Sequence, residues 1–195
     1  MKRILCIILV CIFIISMLVL ALAGCGEKPN PQIQVEMENG DIFIIELYPE
    51  YAPKTVDNFV KLVKDGFYDG LTFHRVYEGF MAQGGGYDSN DVKKPAESIT
   101  GEFKNNGYNK NTLKHTRGVI SMARIGGMNN SASSEFFIMY DNAPLLDGDY
   151  AAFGKVIEGM EVIDSFLLVE KTKYMDTIPT KPVEPIIIKK MTVVK

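Results

Sequence analysis

The sequence has no tryptophan, only two histidines (His74 and His115) and only three cysteines. So few imidazoles and thiols leave little material for a zinc centre, and neither a metal nor a cofactor is expected. Positive charge is not in excess either. Across 195 residues there are 21 basic and 24 acidic side chains, so the electrostatic footprint of a nucleic-acid partner is missing. From Gln32 onward there is no low-complexity stretch and no internal repeat. With 47% hydrophobic and 23% charged residues, the composition excludes a disordered or collagen-like chain and fits one domain or two small ones. Common catalytic signatures are also lacking. No Gly-x-Ser-x-Gly elbow occurs, and Ser131, Ser133 and Ser134 have no obvious base nearby in the sequence. Gly84-Gly85-Gly86 has neither the spacing nor the lysine of a phosphate loop.

One long hydrophobic run is present, from Ile4 to Ala23, broken only by Ser16 and preceded by Lys2 and Arg3. A run of about 20 residues can span a bilayer as an uncleaved anchor. A secretory signal has the same positive start but an apolar core of roughly 7–15 residues. Length alone favours the anchor, whereas the end of the run favours the signal, because Leu22-Ala23-Gly24-Cys25 resembles the lipobox of bacterial lipoproteins. That resemblance implies cleavage before Cys25 and a diacylglyceryl group on its sulfur. Cys6 and Cys11 fall inside the signal, so lipidation accounts for the one cysteine left over. The expected organisation is a signal peptide over 1–24, a lipidated N-terminus with a short linker over 25–31, and a domain over 32–195. Pro29 and Pro31 stiffen the linker. Without Lys2 and Arg3 the remainder carries 19 basic and 24 acidic residues, a charge of −5. The expected location is the bacterial cell envelope, with the domain tethered on the extracytoplasmic side.

Within the domain, Ile33, Val35 and Met37 alternate with polar residues as a half-buried strand does. Asn39-Gly40 signals a hairpin, and Ile42–Leu47 supplies the returning strand. Pro53 suits a helix start, Val56, Phe59, Val60 and Val63 follow at helical spacing, and Gly66 can end the helix. Further strands are expected over 71–76, 118–123, 136–140, 151–157 and 186–194, with a short helix from Met160 to Phe166. The stretch 90–117, rich in Asn, Lys and Gly, reads as a long ordered or functional loop. Such a pattern predicts a mainly β domain, closed or sandwiched.

The chemistry concentrates in Phe73-His74-Arg75-Val76-Tyr77-Glu78-Gly79-Phe80-Met81-Ala82-Gln83, where an arginine interrupts an apolar strand. A half-buried arginine is costly unless it is paired or has a task. The segment is similar to the signature of the cyclophilin family of peptidyl-prolyl isomerases. The likeness continues, in order, through Pro53–Phe59, Gly118–Arg124, Asn130–Ile138, Leu146-Asp147-Gly148 and Phe153–Val156. It covers essentially all of 32–195.

The resemblance implies a closed antiparallel β-barrel of about eight strands capped by two α-helices. It also implies prolyl cis–trans isomerisation of unfolded or exported chains by a monomer. Arg75 matches the family's catalytic arginine. Phe80, Met81, Phe137 and Leu146 match the proline pocket, Gln83 the glutamine that bonds substrate backbone, and Ala123 and Arg124 the neighbouring groove. Composition alone would assign the apolar members of that set to core. Four departures stand out. Glu135 replaces a common glutamine and could pair with Arg75 or Arg124. Arg124 stands where some members have asparagine. Leu145 replaces a tryptophan that contacts cyclosporin in some members, which implies weak binding of that drug. Tyr150 occupies the position of a pocket histidine in some members. His74 reads as a packed structural residue. A proline-segment binding module or holdase with little turnover would use the same pocket.

Overall fold

Apolar alternation builds the first hairpin as the sequence predicts. In β1 (Gln32–Met37) and β2 (Ile42–Leu47), Ile33, Val35, Phe43, Ile45 and Leu47 are fully buried. Gly40, at φ +91°, turns the chain between them. The computed structural model describes residues 29–174 and 176–195. The expected signal segment, Cys25 and the first residues of the linker lie outside them.

Helix α1 (Pro53–Lys64) begins at its proline, and Lys61 and Lys64 occupy its last turn, where positive charge suits the helix dipole. Its own N-cap residue, Ala52, has no side chain to cap with. Glu102 does this from the long loop. Its buried carboxylate accepts hydrogen bonds from the backbone N–H of Lys54 (3.1 Å) and Thr55 (2.8 Å) and from the Thr55 hydroxyl (2.8 Å). The 90–117 stretch is thus an ordered loop, tied to the helix it passes through the Glu102 side chain. Asn111 holds it further by donating to the carbonyls of Glu102 and Ala152.

The remaining strands are β3 (Leu71–Tyr77), β4 (Met81–Asp88), β5 (Val119–Met122), β6 (Phe136–Met139), β7 (Ala152–Glu158), β8 (Lys171–Lys173), β9 (Pro179–Pro182) and β10 (Ile188–Val193). Helix α2 (Met160–Ser165) follows β7. Eight strands form one antiparallel sheet in the order β10-β1-β2-β7-β5-β6-β4-β3. Its ends approach each other. The N–H groups of Gly70 and Phe73 donate to the carbonyls of Ile188 and Ile186, both at 2.9 Å, so the sheet curls into a nearly closed barrel. The interior is aromatic, with Phe43, Phe59, Tyr68, Phe73, Phe136 and Phe153 all fully buried. Phe136 meets Phe59 and Phe73 edge-on at 5.6 and 5.7 Å.

Two elements differ from the sequence expectation. The triple glycine lies within β4, a strand absent from those expected, because the barrel needs its missing side chains. A Cβ at Gly85, where φ is +83°, would stand 2.8 Å from the Phe136 ring, and one at Gly86 would collide with Glu135. The short β8–β9 hairpin was also unanticipated. Its strands are three and four residues long and carry no apolar alternation.

One irregularity aims the site. Between Phe73 and Arg75 the ladder of β3 slips by one residue against β4, so Phe73 pairs with Gly84 but Arg75 pairs with Gln83. A bulge of this kind re-aims side chains. Phe73 and Val76 both enter the barrel core, while Arg75 turns to the outer face. The register then continues Arg75–Gln83–Phe137–Ser121 across β3, β4, β6 and β5 as one transverse row.

Candidate active site

The outer face of β3, β4, β5 and β6 carries a second apolar cluster, separate from the barrel interior. Met81, Val119, Phe137, Met139 and Ala152 form it, with Phe80, Ala123, Leu146 and Tyr150 packed against them. These side chains leave a hollow of about 150 Å³, lined by Arg75, Phe80, Met81, Gln83, Ala123, Arg124, Phe137, Leu146 and Tyr150. The sequence-selected residues therefore converge, although they span 75 positions from Arg75 to Tyr150. Two do not line the hollow. Leu145 is 92% exposed, and Glu135 lies behind Gln83.

Met81 and Phe137 form a buried apolar floor, and Phe137 meets the Tyr150 ring edge-on at 5.7 Å. On one side Arg124 is held flat, its guanidinium carbon 4.8 Å above the Tyr150 ring and its Nε donating to the Asp149 carbonyl at 2.9 Å. Opposite it sits Arg75, whose side chain is 20% exposed. Its Nη1 faces the Gln83 Oε1 at 3.4 Å. Gln83 in turn donates through Nε2 to Glu135 at 3.0 Å.

Glu135 pairs with neither arginine, contrary to the sequence expectation. Its side chain lies across the bare backbone of Gly86, and its carboxylate meets Lys93 at 3.0 Å. It orients Gln83 instead. Arg75 finds a different partner, Asp176, whose two oxygens take its Nε and Nη2 at 2.6 and 2.5 Å. That pair holds the Asp176 carboxyl below the usual carboxylate range, through its hydrogen bonds to the guanidinium. Asp176 stands 101 residues from Arg75, in the loop between β8 and β9, and no local pattern marks it.

Beneath the floor lies a Ser–His–Asp arrangement that sequence reading also missed. His115 faces Asp147 through Nδ1 and Ser121 through Nε2, each at 3.0 Å, and stacks on Phe137. With Asp147 ionised, Nδ1 carries the proton and Nε2 accepts from the Ser121 hydroxyl. Ser121 is fully buried, so no scissile carbonyl can reach it. The trio acts as a polar brace under the pocket. His74, as expected, is packed inside, against Tyr87.

Among the described residues no group of three or more His, Cys, Asp or Glu is placed to hold a metal ion. A larger depression of about 360 Å³, between Met37, Phe166, Val169 and Ile186, has no cationic residue in its lining. The arrangement around Arg75 suits a small apolar ring bound beside a fixed donor.

Residues 32–193 match the sequence profile of the family described as cyclophilin type peptidyl-prolyl cis-trans isomerase/CLD. The chain belongs to that family. This cyclophilin is 43% identical over 125 residues to peptidyl-prolyl cis-trans isomerase B of Bacillus subtilis, covering 64% of the chain and 82% of the relative. It is 38% identical over 162 residues to a peptidyl-prolyl cis-trans isomerase of Acinetobacter baylyi, covering 80% and 82%. Some relatives are far longer, and the chain spans 25–26% of them. Among solved structures, a cyclophilin type isomerase of Cryptosporidium parvum superposes with a TM-score of 0.71 at 30% identity, covering 85% of this chain and 98% of that one. The protein is a peptidyl-prolyl cis-trans isomerase.

The two buried histidines bear on how the stability of the cyclophilin domain varies with pH. Burial is the largest cause lowering both His74 and His115 from the ordinary value of 6.5. Below about pH 6.5 the unfolded chain therefore takes up protons that the folded chain refuses, and stability falls with pH. Asp147 and Asp176 are depressed from 3.8, so their stabilising effect is lost only in stronger acid. Denaturant melts between pH 7 and 5 are expected to show stability declining by up to about 1.4 kcal/mol per pH unit for each histidine. A flat profile across that interval would contradict the assignment.

Proposed function

We propose that Arg75 performs the isomerisation by donating a hydrogen bond to the prolyl nitrogen as the amide twists. Rotation about the bond breaks its resonance, with a barrier of about 18–20 kcal/mol, and uncatalysed it takes tens to hundreds of seconds. An acceleration of about 10⁴-fold requires only some 5.5 kcal/mol of preferential stabilisation of the twisted state. No nucleophile or acid–base pair is needed. The twisted nitrogen becomes pyramidal and gains a lone pair that the planar amide lacks, so a donor there favours the transition state alone. One observation carries the reading: the bulge in β3 sets Arg75 in the same transverse row as Gln83 and Phe137, at the wall of the apolar hollow. In this role Phe80, Met81, Phe137 and Leu146 receive the pyrrolidine ring, and Gln83 bonds the peptide backbone. A site shielded from water strengthens the interaction.

The clients, on this proposal, are unfolded or exported chains whose folding is limited by proline, met at the outer surface of a membrane. The positive start, the apolar run and Leu22-Ala23-Gly24-Cys25 support lipid anchoring at Cys25. The domain works as a monomer on the extracytoplasmic side of the cell envelope.

Refolding of a proline-limited substrate tests the chemistry. Arg75→Ala is expected to lose roughly 10²–10³-fold of the catalysed rate, the usual effect of removing a transition-state donor. Equal activity of the two proteins would refute the mechanism, and aggregation suppression without turnover in either would favour a binding module. Mass spectrometry of the mature chain tests the anchor. A diacylglyceryl-modified Cys25 at the N-terminus is expected, whereas an intact Met1 or a free Cys25 thiol would replace it with a spanning segment.

A further inference from the structure

Arg75 is oriented from a part of the chain that lies far from it in sequence. The β8–β9 hairpin packs β9 beside β3, and its tip carries Asp176 over the back of the guanidinium. Asp176 uses both oxygens, Oδ2 to Nε and Oδ1 to Nη2, in the bidentate geometry that best fixes a guanidinium plane. Asp176 is itself fixed. Its Oδ2 also accepts from the hydroxyl of Thr180, at 2.7 Å, and Thr180 is fully buried in β9. The carboxylate is only 12% exposed, so the contact is not a loose surface ion pair. Lys181 secures the same hairpin from the other side by pairing with Asp91.

The division of donors is the decisive point. The carboxylate occupies Nε and one N–H of Nη2, while Nη1 is left toward Gln83, which lines the hollow together with Arg75. A substrate in the hollow would therefore find donors of the guanidinium that the carboxylate does not occupy. A side chain with four rotatable torsions, holding its charge at the wall of an apolar hollow, gains both a fixed plane and a counter-charge. We propose that Asp176 is a positioning residue for prolyl isomerisation, clamping the guanidinium of Arg75 so that its remaining donors face the twisted amide. The inference rests on Arg75 being the donor. It extends the active site to the β8–β9 hairpin, which lines no part of the hollow.

Turnover of a Xaa-Pro tetrapeptide by wild type, Asp176→Asn, Asp176→Glu and Arg75→Ala tests this. Asp176→Asn is similar in size to the native residue but presents a donor to one guanidinium N–H. It is expected to lower kcat roughly ten-fold with KM unchanged, since small misplacements of a catalytic group are costly. Asp176→Glu, which keeps the carboxylate, should recover part of the loss. Unchanged kcat in Asp176→Asn beside an inactive Arg75→Ala overturns the clamp and leaves the donor role intact. Full activity in Arg75→Ala overturns the donor role beneath it. A rise in KM at constant kcat, or faster turnover, also overturns the clamp, because Asp176 would then act on substrate binding or as a competitor. Should Asp176→Asn not fold, the wild-type Arg75 Nε–H resonance decides. Slow exchange with water supports the clamp, and rapid exchange contradicts it.

Discussion

A guanidinium cannot be left unpaired at the edge of an apolar cavity, because taking a charge partly out of water is expensive unless fixed partners replace the solvent. Around Arg75 those partners come from three places. Gln83 lies on the adjacent strand, Tyr77 presents its ring 5.7 Å from the guanidinium carbon, and Asp176 reaches in from a distant hairpin. Each removes freedom from the side chain as well as compensating its charge. On the proposed mechanism that immobility is the catalytic asset, since a donor already in place need not reorganise when the prolyl nitrogen becomes pyramidal.

The barrel supplies the frame for this arrangement. Its interior is filled by interlocking aromatic rings, so the four strands that carry the site have little freedom to move. The site cluster is built on the opposite face of those strands from the barrel core. Strand alternation explains the division. Along β6, Phe136 and Ile138 belong to the interior, while Phe137 and Met139 belong to the pocket side. Below Phe137, the Ser121–His115–Asp147 chain satisfies buried polar groups and stiffens the floor. Glu102 performs a comparable service for α1, tying the long loop to the barrel through helix N–H groups.

Much of this was legible in the sequence, for identifiable reasons. The first hairpin follows from alternation and Asn39-Gly40, and α1 from Pro53 and its apolar spacing. The pocket residues were found through family resemblance rather than periodicity, because Phe80, Phe137 and Leu146 look like any core residues taken singly. What escaped was decided by register and by long-range contact. A one-residue slip between Phe73 and Arg75 leaves no trace in residue type. Glu135 was misassigned to an arginine because its direction depends on the bare backbone of Gly86, which lets it lie toward Lys93. Asp176 and the partnership of His115 with Ser121 are likewise tertiary facts.

The most direct test separates transition-state stabilisation from binding. Arg75→Lys keeps the positive charge but removes the planar fork. Exchange NMR on a Xaa-Pro peptide, with enzyme in excess, reads the cis–trans interconversion of the bound peptide and its affinity together. If a fixed guanidinium meets the twisted nitrogen, interconversion in the Lys variant slows by about two orders of magnitude while the peptide's Kd barely changes. Unaltered interconversion on the Lys variant, or a loss confined to affinity, would contradict that role for Arg75.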